Sequence, residues 1–112
     1  MMKTMTVSEL CSECGFEAIC LPDGGREVSG AYIGDLLSWV MGRAGEDNAW
    51  ITIMSNINVI AVASLSDVSC VILAEGVQLE DEIRQTAEQK EINVLSSQLP
   101  AFETAQKLIG KI

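Results

Sequence analysis

The sequence contains no histidine. That absence removes the commonest general base at neutral pH and the usual partner of a serine or cysteine nucleophile, so hydrolase triads of the ordinary kind are excluded. Cations are scarce too. Seven Lys and Arg stand against sixteen Asp and Glu, for a formal net charge of −9, and the seven are scattered instead of forming a stripe. Such a chain repels a phosphate backbone, and no nucleic-acid partner is expected.

Long apolar runs are also missing. The longest candidates, Ile57 to Ala63 and Cys70 to Ala74, fall well short of the roughly 18 to 20 residues that cross a bilayer, so no membrane span is expected. Met1 to Glu9 lacks the continuous apolar core and the small-residue cleavage site of a secretory signal, and a cytoplasmic location follows. No G-x-x-x-x-G-K-[ST] run is present, which removes the backbone cradle and lysine of a P-loop; Gly24-Gly25 is too short to replace it and reads as a turn.

What is present suits one small domain over residues 1–112. At 48% hydrophobic and 21% charged, the chain has enough apolar surface to offset the entropy of ordering it. Short β-rich runs alternate with segments of helical period, the pattern of a mostly parallel sheet covered by helices. Strands are expected over Phe16 to Leu21, Val28 to Ile33, Trp50 to Met54, Ser69 to Leu73 and Asn93 to Leu95. Leu21-Pro22-Asp23-Gly24-Gly25 ends the first in a turn, consistent with a strand-to-strand connection.

Helices fill the gaps. Thr6 to Cys14 reads as a short helix outside the sheet. Gly34-Asp35 reads as a helix start, followed by Leu36, Leu37, Val40 and Met41 on one face. Val59 to Leu65 is β-branched enough for a strand, yet its alanines and its place between two better strands favour a crossover helix. Leu79, Ile83 and Ala87 recur at helical spacing behind an acidic first turn of Glu80, Asp81 and Glu82. Pro100 opens a last helix with Phe102, Ala105, Leu108 and Ile109 on one face.

Few residues suggest chemistry. Cys11 and Cys14 have the C-x-x-C spacing of zinc and redox motifs, but a zinc site wants four ligands, and a redox pair should follow a strand. Ordinary thiols on a short helix are the favoured reading, with no metal, no cofactor and no disulfide expected. A positional rule remains: in open parallel sheets, ligands bind beyond the carboxyl ends of the strands. It selects Gly34 and Asp35 after the second strand, and Ser55, Asn56 and Asn58 after the third. Glu75 and Gly76 follow the fourth strand, and Ser96 and Ser97 the fifth. These could line a small-molecule site, although Asp35, Asn58 and Ser97 are also residue types that cap helices and turns. The Val59 to Leu65 segment is apolar nearly all round and would need cover on both sides, which points to a homodimer contact.

Residues 28–38 (Val-Ser-Gly-Ala-Tyr-Ile-Gly-Asp-Leu-Leu-Ser), Trp50-Ile51-Thr52-Ile53, Asn58 to Leu65 and Ala101-Phe102-Glu103 together resemble a stand-alone DRTGG domain, over nearly all the chain from about residue 15. That family is similar to the N-terminal domain of HPr kinase/phosphorylase and to a segment of some long phosphotransacetylases, and it also occurs beside CBS domains. The resemblance implies a three-layer α/β/α fold with a mostly parallel sheet of about five strands and a regulatory or accessory role. Where the residues that name the family would lie, this chain has Ser55-Asn56-Ile57 and Ala74-Glu75-Gly76, and only Gly76 keeps the pattern. The arginine and paired glycines are missing, so an anion-binding task does not carry over to those loops. Kinase activity is not implied either, since the phosphate cradle and metal ligands are absent.

The expected function is therefore a non-catalytic regulatory or ligand-sensing domain acting as a homodimer. The alternatives are a protein-interaction adaptor for an enzyme encoded nearby, or an enzyme fragment lacking its catalytic domain.

Overall fold

A computed structural model describes residues 5–112. Met1 to Thr4, which carry part of the leader reading, lie outside the described residues. In chain order the elements are β1 (Met5–Thr6), α1 (Val7–Cys14), β2 (Glu17–Cys20), β3 (Glu27–Val28), β4 (Ala31–Ile33) and α2 (Leu37–Arg43). They continue with β5 (Ala49–Thr52), α3 (Ile57–Ser66), β6 (Cys70–Leu73), α4 (Asp81–Gln89), β7 (Val94–Ser96) and α5 (Ala101–Leu108).

The main sheet has five strands in the order β2-β7-β6-β5-β4. Strands β4 to β7 are mutually parallel, and β2 runs antiparallel at one edge against β7. The central strands β5, β6 and β7 are buried at every residue, as expected for parallel strands covered on both faces. One face packs Trp50, Val71, Leu73 and Val94 against α2, α3 and α4 through Val40, Val59, Ile60, Val62, Ala63 and Ala87. The opposite face packs Ile51, Cys70, Ile72 and Leu95 against α1 and α5 through Val7, Leu10 and Leu108. The architecture is thus three-layer α/β/α.

Val59 to Leu65 is helical, within α3, because a chain joining two adjacent parallel strands must cross from one end of the sheet back to the other. Its apolar residues divide between two environments. Val59, Ile60, Val62 and Ala63 enter the core, while Ile57 and Leu65 stay exposed.

Three sequence expectations are corrected. Val28 to Ile33 is not one strand: Val28 pairs antiparallel with Met5 in a separate two-stranded ribbon, and Ala31 joins the main sheet beside Ala49. The break falls at Gly30, whose φ of +74° is left-handed; a Cβ there would also approach Asn48 Nδ2 to 3.1 Å. Helix α5 presents Ala101, Thr104, Ala105 and Leu108 inward, leaving Phe102 and Ile109 exposed. That rotation is possible because Thr104, a polar residue, has its hydroxyl satisfied by Ser97 Oγ at 2.8 Å and the Leu99 carbonyl at 3.1 Å. In α2, Val40 is fully buried, whereas Leu36 and Met41 face solvent.

The amino end of the sheet is closed by polar bonds. Asn93, 1% exposed, donates its amide to the carbonyls of Asp23 and Ser69 and accepts from the Asp23 N–H. Arg26 forms ion pairs with Asp47 at 2.9 Å and Asp67 at 3.0 Å, which hold the ribbon to the loops preceding β5 and β6.

Candidate functional site

The loops chosen by the positional rule all lie at the carboxyl end of the parallel strands, but they form two separate groups. The first joins the β4–α2 and β5–α3 connections. Asp35 does not cap α2; its Oδ1 accepts from Thr52 Oγ1 at 2.7 Å and from the Ile53 N–H at 3.0 Å, tying one loop to the other. Gly34 lies under the Tyr32 ring, where a Cβ would come within 2.9 Å of Cε2, and its carbonyl accepts from Trp50 Nε1. Asn56 is the N-cap of α3, accepting from the Asn58 N–H at 2.9 Å, and the Asn58 side chain is exposed on the first turn. Ser55 is half-buried beside them. These bonds brace the two loops, while the Ser55 hydroxyl and the Asn58 side chain make no hydrogen bond within the described residues.

The second group joins the loops after β6 and β7. Glu75 and Gly76 both have left-handed backbone, with φ of +62° and +69°. Their N–H groups donate to the carbonyls of Leu99 at 2.9 Å and Ser97 at 2.8 Å. At this point the helices change sides: α4 after β6 covers one face of the sheet and α5 after β7 the other. Such a switch between neighbouring parallel strands ordinarily opens a ligand crevice. Here the backbone bonds between the loops zip it shut.

The opening lies one strand further along, between β7 and β2. Because β2 is antiparallel, its first residue, Glu17, stands opposite Ser96 at the carboxyl end of β7. The α1–β2 turn therefore meets the β7–α5 loop there, around a cavity of about 320 Å³. Residues 14–17 line it on one side and residues 96–99 on the other, with Lys107 of α5 completing it. Helix α1 can turn directly into β2 because Gly15 is a left-handed C-cap with φ +72°. A Thr6–Glu9 capping box fixes the other end of α1.

The polar groups around this cavity differ in how well they are satisfied. Ser97 Oγ bonds Thr104 Oγ1 and accepts from the Leu99 N–H at 3.2 Å. Ser96 is 2% exposed, and its Oγ has no hydrogen-bond partner. Cys14 Sγ approaches the Lys107 carbonyl at 3.5 Å. Burial pushes its thiol pKa up, with Glu13 and Cys11 adding to the rise and Lys111 and Lys107 opposing it. Cys11 lies on the core side of the helix, its Sγ 3.2 Å from the Phe16 carbonyl, and burial raises its pKa as well. Neither thiol is activated as a nucleophile. Among the described residues no three His, Cys, Asp or Glu side chains cluster to hold a metal, and no helix is long and apolar enough to cross a membrane.

Of the residues chosen from the sequence, Ser96 and Ser97 line this cavity; the other seven do not. Cys14, Gly15, Phe16, Glu17, Gln98, Leu99 and Lys107 were not anticipated as its walls. The positional rule considers loops that follow parallel strands, whereas residues 14–17 precede an antiparallel one. A reversed edge strand beside the switch point is the feature that would have revealed them.

A family model described as the DRTGG domain matches residues 24–110. A sequence search of curated proteins returned no match. Among solved structures, the chain is similar to the CBS and DRTGG domains of the regulatory region of Clostridium perfringens pyrophosphatase, crystallised with the activator diadenosine tetraphosphate. The TM-score is 0.77 at 15% sequence identity, over 93% of this chain and 46% of that one, so this chain spans about half the length of its structural relative.

Proposed function

Because the chain belongs to the DRTGG domain family, we propose that it works as one non-catalytic regulatory domain that senses a small molecule and passes the signal on as a homodimer. The observation that carries this reading is the cavity at the carboxyl end of the sheet, beside the point where the helices change faces. The likeness to a region that is regulatory in its own protein, and that was crystallised with an activator, adds the class of role. With no histidine and no phosphate-binding loop in the chain, catalysis would need groups from elsewhere.

Of the Val59 to Leu65 segment expected to form the homodimer contact, Val59, Ile60, Val62 and Ala63 are taken up by the core and only Leu65 remains as a large exposed apolar residue, so the homodimer reading rests on Leu65 and its exposed neighbours. Ile57 and Leu65 stand out from α3, while Leu36, Trp39 and Met41 stand out from the neighbouring α2 and its N-cap. Arg43 stacks over the Trp39 ring at 4.0 Å. Apolar exposure gathered on one face is characteristic of contact surfaces. Sedimentation at rising concentration is expected to give a dimer, and Leu65→Glu a monomer. A wild-type chain that stays monomeric at high concentration would assign the face to another protein, as in the adaptor reading.

For sensing, the test is thermal unfolding against adenine nucleotides and other small metabolites. A ligand at about 100 times its Kd adds about 2.7 kcal/mol, which raises the midpoint by several degrees in a domain of this size. A flat panel would leave the domain without a sensing role.

A further inference from the structure

Strand β4 is an edge of the main sheet, and its backbone is only half used. The Ala49 N–H donates to the Gly30 carbonyl and the Gly34 N–H to the Ile51 carbonyl, so the even-numbered residues of this segment bond toward β5. Alternation along the parallel ladder then turns the N–H and carbonyl groups of Ala31 and Ile33 away from β5. Both residues are exposed, and those groups have no partner on that side among the described residues. The opposite edge, β2, is defended. A bulge interrupts it between Ala18 and Cys20, Glu17 is exposed on it, and the neighbouring α4 carries Asp81, Glu82 and Glu88. Bulges and charges keep an edge from pairing, and β4 has neither, nor a proline.

We propose that two copies of the chain join by antiparallel pairing of their β4 strands, making one continuous sheet across a two-fold axis at Tyr32. The proposal rests on the homodimer reading above and places its contact at this edge, beside α2. Ala31 of each copy stands opposite the partner's Ile33 and exchanges N–H···O=C bonds with it in both directions. The outward groups thus satisfy one another with none left over, which is the self-complementarity a two-fold contact requires. Charge selects the same edge. Two chains of net charge −9 repel each other, but residues 28–45 hold only Asp35 and Arg43 as charged residues, and Asp35 is bonded to Thr52 and the Ile53 N–H. A three-residue strand is short for pairing by itself. Apolar area comes from α2, which joins β4 to β5: Tyr32 and Leu37 pack against the cluster that holds Val40, while Leu36, Trp39 and Met41 stay exposed. The axis is perpendicular to the sheet, so pairing sets both α2 helices on the same face of the joint sheet, where these residues cover one another.

Amide hydrogen exchange followed by NMR, with sedimentation of the same samples, tests the pairing. At concentrations that give the dimer, the Ala31 and Ile33 amides are expected to be protected. Dilution to the monomer is expected to release them, while the Gly34 amide, bonded to Ile51 within the chain, keeps its protection. Ile33→Pro removes an N–H that the single chain does not use, and it is expected to weaken the dimer about tenfold or more, because the two-fold doubles the loss of each bond. The exchange measurement on the wild-type chain decides the matter even if that variant folds poorly. A dimer whose Ala31 and Ile33 amides exchange as freely as in the monomer would overturn the edge pairing and keep the homodimer. So would a dimer lost in Leu65→Glu but unchanged in a folded Ile33→Pro. A chain that is monomeric at every concentration would overturn both and leave the edge to a strand of another protein.

Discussion

The two ends of the sheet are built from similar polar residues and finish in opposite states. At the amino end, Asn93, Arg26, Asp47, Asp67 and Ser69 are bound to one another or to the backbone, and the chain is sealed. At the carboxyl end, Asp35 and the Glu75 and Gly76 N–H groups brace loops in the same way, but beside β2 a cavity stays open between residues 14–17 and residues 96–99, and the exposed side chains of Glu17, Gln98 and Lys107 make no ion pair or hydrogen bond within the described residues. A polar residue in a small domain either fastens a loop or stays free to meet water or a ligand. Its partners within the chain, and not its residue type, decide which.

The comparison breaks most readily at Asn93. Asn93→Ala removes three hydrogen bonds and leaves the buried Ser69 carbonyl without this partner, while the exposed Asp23 carbonyl keeps the Arg26 N–H at 3.2 Å, which should cost about 2 kcal/mol and lower the unfolding midpoint by about 10 °C. A loss below about 1 kcal/mol would mean that water replaces the amide. Arg26→Met should cost less, about 1–2 kcal/mol, because its two carboxylate partners are substantially exposed and screened. High salt should shrink that cost, and a salt-independent loss would point to packing by the arginine stem instead.

The thiols give a subtler contrast. Burial pushes Cys70, at the start of β6, up to about 12 from 9.0, and the other three thiols are raised too. The folded state therefore keeps protons that the unfolded state releases. Stability should be level up to about pH 9 and fall above it, by about 1.4 kcal/mol per pH unit for a thiol held fully protonated. Cys70→Ala should lower stability at neutral pH yet flatten that decline; an unchanged slope would exclude Cys70 as its source. A small alkylating reagent at mildly alkaline pH should label Cys14, on the cavity, well before Cys70, whose labelling should follow global unfolding.

The smallest effect is expected at Ser96. Because its hydroxyl is buried and unpaired, Ser96→Ala should change stability by no more than about 0.5 kcal/mol, and toward stabilisation. A loss of 2 kcal/mol would show that the hydroxyl has a partner within the fold.

Much of the layering was legible because periodicity reports burial. The runs at β5 and β6 are apolar throughout since both faces of those strands are covered, and α3 had to be helical to join them. The choices that depend on distant partners were not legible. Gly30 marks a change of sheet only once Met5 and Ala49 are known to compete for its neighbours. Thr104 is buried only because Ser97 and Leu99 satisfy it, and Phe102 is exposed as a consequence. For the candidate site, the sequence pointed to the end of the sheet where the cavity lies and to two of its lining residues, Ser96 and Ser97. It missed the rest because the reversal of β2, which brings Cys14 to Glu17 against β7, leaves no local mark in the chain.

The most direct test of the central claim, that the cavity between β2 and β7 is where this domain meets its ligand, is a two-dimensional amide NMR titration with whichever compound raises the unfolding midpoint. The account predicts saturable shifts concentrated at residues 14–17, residues 96–99 and Lys107. Shifts concentrated instead at Gly34, Asp35 and Asn56, or at the sealed amino end around Asn93, would contradict it.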